Sequence, residues 1–108
     1  MKIPKKFKEN FLIALRSGLF DQAQRQLRVF KEDKSIGFCC LGVACLVAKI
    51  PEHELVGKLY PSMLNHEAKN YDKLPKFFKE HSNIVDLAKM NDSGSSFEDI
   101  ADYIEKNY

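Results

Sequence analysis

The chain has 108 residues, 44% hydrophobic and 30% charged, with no internal repeat or low-complexity run. This fits one globular domain over 1–108 with one core and excludes repeat and disordered architectures. The formal net charge is only +2, yet residues 1–34 hold nine Lys/Arg against four Asp/Glu, and residues 35–108 hold eight against eleven. A basic N-terminal third therefore faces an acidic remainder. Three cysteines, two of them adjacent, make no disulfide framework and fit free thiols in a reducing cytosol. The basic N-terminus lacks the cleavage-like end of a secretory signal, and no apolar run reaches the about 20 residues of a membrane span. A cytoplasmic protein away from the membrane is expected.

Residues 5–17, KKFKENFLIALRS, put Phe7, Phe11, Ala14 and Leu15 at i, i+4, i+7 and i+8, the spacing of one helical face. Pro4 sits at the first turn, where a missing N–H costs nothing. Gly18 suits the left-handed residue that closes a helix. Lys5, Lys6, Lys8 and Glu9 form the wet face. Beyond it, Gln22, Gln24, Arg25, Gln26 and Arg28 stand between apolar Phe20, Leu27 and Phe30. A strand from Leu27, a turn at Glu32, Asp33 and Lys34, and a returning strand over Ser35–Phe38 are compatible with this stretch. Whether they pair as a short β-hairpin near 27–38 is left open by the pattern.

The stretch 38–50, FCCLGVACLVAKI, carries one charge, Lys49, and no polar stripe. A helix that is apolar all round is buried all round. Its length and its small residues favour a central helix over a buried strand. Gly42 would weaken a helix by up to about 1 kcal/mol relative to Ala, so its expected use is the close approach of a neighbouring element. Pro51 is expected to end the helix.

Residues 52–73 mix Gly57, Pro61 and Asn70 with short apolar pairs and read as one helical turn followed by a loop. LPKFF at 74–78 begins a short helix, with Phe77 and Phe78 as core. Residues 83–107 form a helix–turn–helix-like pair, with Ile84, Leu87 and Ala88 on the first face and Phe97, Ile100, Ala101 and Ile104 on the second. NDSGSS at 91–96 is the break between them. Ser95 with Glu98 three residues on has the pattern of a capping box. The fold class is thus mainly α (α+β), a compact domain around the buried helix 38–50.

The cysteines invite a metal or nucleophile reading. On a helix Cys40 and Cys45 would lie about 140° apart, and His53, His66 and His81 are scattered, so no metal site is expected. A catalytic thiolate needs a base and an electropositive, partly exposed setting; cysteine in an apolar run acts as a small hydrophobe. No catalytic residue and no cofactor is assigned. Residues 83–108 hold six acidic and two basic side chains, a balance that repels the phosphates on which nucleic-acid affinity depends.

Three stretches together resemble a known family: ALRSG at 14–18 with Gln22 beyond it, GFCCLGVACLVA at 37–48, and MNDSGSSFEDIADYIE at 90–105. They are similar to a widespread family of small uncharacterised proteins of tailed bacteriophages and prophages. Ala44, Leu46 and the segment Ala23, Gln24, Arg25 depart from that pattern. The resemblance implies a small accessory phage product, made in the bacterial host cytoplasm. It also implies action on host defence, by blocking a host protein or sequestering a nucleotide-type signal.

Non-enzymatic binding is the expected activity. Arg16, Gln22, Arg25 and Arg28 would receive an anionic group, and Asn91, Asp92 and Ser93 would supply directional hydrogen bonds, the two sets meeting across the central helix. The partner is a host protein or a small anionic, nucleotide-like ligand. The alternative is a nucleic-acid-binding regulator using the basic N-terminal third. The oligomeric state is open.

Overall fold

The structure is a computed structural model and describes residues 2–108. Helix α1 spans Lys5–Arg16, and a three-stranded sheet follows: β1 Asp21–Gln22, β2 Arg28–Phe30 and β3 Ile36–Phe38. Helix α2 spans Cys40–Val47. Single 3₁₀ turns at Glu52–Leu55, Pro61–Met63 and Tyr71–Lys73 lead to α3 at Lys76–Lys79, α4 at His81–Asp92 and α5 at Phe97–Asn107. The fold is mainly α with a small β part.

Helix α2 is the centre of the core. Cys40, Leu41, Gly42, Val43, Ala44 and Cys45 are all buried, as an apolar surface without a polar stripe requires. Helices α1 and α4, strand β3 and the turn at Pro61–Met63 lie against it. It is shorter than 38–50 at both ends. Phe38 belongs to β3, where it pairs with Gln22 on one side and Arg28 on the other. The far end closes before Pro51. Ile50 N–H donates to Cys45 O (3.1 Å) and Lys49 N–H to Leu46 O (2.9 Å), with Lys49 left-handed at φ 68°. This is a Schellman closure with lysine where glycine is usual, and Ile50 buries itself as its apolar partner.

Gly42 has the use expected of it. The chain entering β2 lies directly on α2, and a Cβ at Gly42 would collide with the Leu27 carbonyl oxygen. Leu27 is itself fully buried, and its N–H donates to Lys58 O at 2.9 Å.

Strands β2 and β3 form the antiparallel hairpin, with Arg28 opposite Phe38, Val29 opposite Gly37 and Phe30 opposite Ile36. Strand β1 runs parallel to β3 on its other side. Sheet residues alternate between two faces. Ile36 and Phe38 turn to the core side, where Phe38 meets Phe20 edge to face at 5.9 Å. Val29 and Gly37 fall on the opposite face.

The charge asymmetry of the sequence becomes an internal pairing, because α1 packs against the acidic α5. Arg16 contacts Asp102 at 2.8 Å, Glu105 at 3.0 Å and Glu98 at 3.6 Å, and Lys8 Nζ donates to Glu105 O at 3.2 Å. The carboxylates raise the Arg16 pKa, chiefly through the hydrogen bonds they accept, Asp102 first and then Glu105. Beneath this surface network Phe7, Phe11 and Phe78 form an aromatic cluster with centroids 5.4–6.3 Å apart. The region 52–73 is anchored by buried Leu55, Leu64 and Ala68, and Asn70 Nδ2 donates to Lys49 O at 2.7 Å.

Gly42→Ala is expected to cost about 3 kcal/mol, the upper end for an inserted methyl, because it strikes backbone. Thermal unfolding would register a midpoint fall of more than about 10 °C. An unchanged midpoint would contradict the packing of the Leu27 backbone on α2.

Candidate functional site

Two carboxamides and one carboxylate hold the segment 21–25 against the helical half. Asn91, in the last turn of α4, is fully buried and is the buried polar side chain among the described residues. Its Oδ1 accepts from Cys40 N–H at 3.1 Å and from Gln22 Nε2 at 3.0 Å, and its Nδ2 donates to Ala23 O at 2.7 Å. Cys39, the residue before α2, makes no side-chain cap of its own. The first amide of α2 is thus satisfied from another helix, as a buried helix end requires.

Gln22 performs the same service for α5. Its Nε2 also donates to Ser95 O at 2.7 Å, and its Oε1 accepts from Phe97 N–H at 3.1 Å. The cap of α5 within its own chain segment is Ser96, whose Oγ accepts from Asp99 N–H at 3.1 Å. It lies one residue beyond the expected Ser95, because Ser95 closes α4 through its N–H to Met90 O at 2.9 Å. Asn91 and Asp92 likewise belong to α4 rather than to the break that follows.

The third tether orients a cation. Asp92 Oδ1 accepts from Arg25 N–H at 2.8 Å, and Arg25 is left-handed at φ 75°. A non-glycine residue in that region carries a strain of about 1–3 kcal/mol and persists only where its surroundings hold it. The Asp92 bond is one such hold, and the Arg25 side chain stays exposed.

Arg25 borders an open groove on the uncovered face of the sheet, lined by Gln22, Ala23, Gln24, Arg25, Val29, Lys31 and Gly94. Gly37 shapes its floor. A Cβ there would come within 2.7 Å of Lys31 Cε and 2.9 Å of Ala23 Cβ, so the lysine stem lies where another residue would put its side chain. Strand alternation places Asp21 on the same face at the β1 edge, bounding the cationic surface on that side. On its other flank Arg25 meets a crevice of about 10 Å³ beside Leu59, Tyr60 and Ala88, no roomier than one water.

Of the seven residues singled out in the sequence, the structure brings together Gln22, Arg25, Asn91 and Asp92. The polar atoms of Gln22 and Asn91 are engaged inside the fold. Arg16 is held by the α5 carboxylates, and Arg28 Nε donates to Glu52 at 2.9 Å. Ser93 Oγ donates to Met90 O at 3.2 Å. Gln24 and Lys31 are groove residues that the sequence reading did not select. Nothing near Lys31 in the chain reports that its stem folds over a glycine.

None of the three thiols is poised for chemistry. Burial pushes the Cys39 thiol up to about 11 and raises the Cys40 and Cys45 thiols as well. Among the described residues no group of three or more His, Cys, Asp or Glu gathers to hold a metal ion, and no helix is long and apolar enough to cross a membrane.

Residues 3–81 match a family model described as a domain of unknown function (DUF8296), and the chain belongs to that family. The match covers α1 through α3, and with them the Gln22–Lys31 part of the groove, and ends before Asn91, Asp92 and Gly94. No curated protein and no solved structure matches the chain.

Asn91→Ala leaves the Cys40 N–H and the Ala23 carbonyl without their partner, and each buried orphan costs about 1–3 kcal/mol. A loss of about 3 kcal/mol is expected in urea unfolding. Asn91→Asp should be no better, because a carboxylate cannot donate to Ala23 O. Full stability of the aspartate variant would contradict the bonding described.

For the thiols, a pKa of about 11 leaves Cys39 as thiolate in about one molecule per thousand at pH 8. A chromogenic disulfide reagent should therefore react at the rate of unfolding. Because the folded pKa exceeds the unfolded one, the contribution of this group to stability is complete below about pH 9 and falls as pH rises toward 11. Immediate labelling of the native protein would contradict its burial.

Proposed function

We propose that the chain acts by non-enzymatic binding, taking an anionic partner in the groove of Gln24, Arg25 and Lys31 on the open sheet face. The observation that carries this reading is Arg25: a cationic side chain on a strained left-handed backbone, fastened by Asp92 and exposed beside Lys31. Left-handed backbone is shared by Lys34, Lys49 and Asn70; what distinguishes Arg25 is that the Asp92 tether fixes the backbone from which an exposed cation is presented beside the groove. Charge complementarity across such a surface speeds and orients association.

The buried, protonated thiols supply no nucleophile, which favours binding over catalysis. The alternative, a nucleic-acid regulator working through the basic N-terminal third, has less support. Arg16 and Lys8 of that third are already engaged by α5. The likeness of the three sequence blocks to small phage and prophage proteins supports a setting in the bacterial host cytoplasm. There the chain would counteract host defence, by blocking a host protein or sequestering a nucleotide-type signal.

The test is thermal unfolding with a panel of anions: inorganic phosphate, nucleotides, cyclic nucleotides and polyglutamate. A ligand at 100 times its dissociation constant adds about 2.7 kcal/mol, a midpoint rise on the order of 10 °C for a domain of this size. At least one member should give such a rise, and the double variant Arg25→Glu, Lys31→Glu should abolish it. A rise that survives charge reversal, or none across the panel, would overturn the reading.

A further inference from the structure

We infer that the occupant of the groove is an acidic polypeptide segment carrying two or more carboxylates, rather than a nucleotide. The inference rests on the anion-binding reading above and adds the chemical class of the partner.

A nucleotide needs a surface for its base and a nest of donors for its phosphates. The groove offers no ring: its apolar lining is Val29 and Ala23, whereas bases are held mainly by stacking on aromatic side chains. Tyr60 stands beyond Arg25, between the crevice that has room for one water and a separate open surface beside Lys89 and Ser93, and it does not line the groove. Phosphates favour free amides at helix N-termini. The first amides of α2 and α5 are both occupied, Cys40 N–H by Asn91 and Phe97 N–H by Gln22.

The groove also lies open along the sheet face, so a small ligand would keep much of its surface in water. Small-molecule sites bury about 70–90% of their ligand. An extended chain gathers its contacts along its length instead, and here the contacts are distributed. Arg25 reaches in from the loop after β1, and Lys31 from the turn after β2. Gln24, exposed next to Arg25 in the chain, supplies a carboxamide that can both donate to and accept from a peptide backbone. Arginine takes a carboxylate through two parallel N–H bonds, and lysine takes a second as a point charge. Gly37 keeps the floor low, because the Lys31 stem occupies the place a side chain at that position would take.

The experiment is fluorescence anisotropy with a labelled ten-residue peptide of alternating Glu and Ser, its Gln-for-Glu counterpart, and competition by ATP and by a cyclic dinucleotide. The inference predicts binding of the acidic peptide alone. Affinity should fall at least tenfold in Arg25→Gln and in Lys31→Gln and stay unchanged in Arg16→Gln, whose partners lie on α5. Gly37→Ala should mimic Lys31→Gln by displacing the lysine. Lys31→Gln keeps the test valid if crowding of Ala23 unfolds the glycine variant. Nucleotide binding without peptide binding would overturn this inference and leave the anion-binding reading standing. Binding of neither would overturn both.

Discussion

One buried carboxamide holds this fold in register. Asn91 is polar, fully inaccessible and bonded through both its oxygen and its nitrogen, and its three partners come from α2, β1 and the residue after β1. Only a side chain with both a donor and an acceptor can serve a helix amide and a loop carbonyl at once. Leaving such groups unpaired inside a protein costs more than making the bonds gains. The network therefore acts mainly against alternatives: a slipped segment 21–25 would orphan several groups together. Gln22 extends the same logic to α5, so two helix starts are capped by side chains distant in sequence.

That arrangement explains how a loop can present a cation on strained backbone. Segment 21–25 is fastened at Gln22, at Ala23 and at the Arg25 amide. Three fixed points within four residues leave little freedom, and Arg25 takes the left-handed conformation that remains. The surface feature is thus a consequence of buried bonding. By contrast the cluster of Arg16 with the α5 carboxylates, although it gathers more charges, is exposed and exchanges readily with water and salt. It orients α1 and α5 without organising the site.

Much of the architecture was legible in the sequence because burial leaves a mark on composition. The run FCCLGVACLVAKI has no polar stripe, and it became the buried helix. Phe11 and Leu15, and Ile100 and Ile104, keep helical spacing and became core. What escaped depended on partners far along the chain. Strand β1 is only Asp21 and Gln22 and exists because β3 offers an edge. Phe38 left the helix because it is paired on both sides. Asn91 and Asp92 resembled turn residues by type, and only the position of Cys40 and Ala23 makes Asn91 an interior residue. Gln22, Arg25, Asn91 and Asp92 come together at the N-terminal end of α2 rather than across it, while Lys31 enters the groove through the absence of a side chain at Gly37, which no local pattern near Lys31 reveals.

Asn91 and Gln22 cap two helices from a distance, and amide hydrogen exchange tests this most directly. First-turn amides of helices ordinarily exchange quickly, since they lack partners within the helix. Here the amides of Cys40 and Phe97 should be among the slow ones, Cys40 exchanging only with global unfolding. Fast exchange at Cys40, at the rate of a frayed helix end, would mean that the buried carboxamide does not hold α2 and that the groove is not fastened as described.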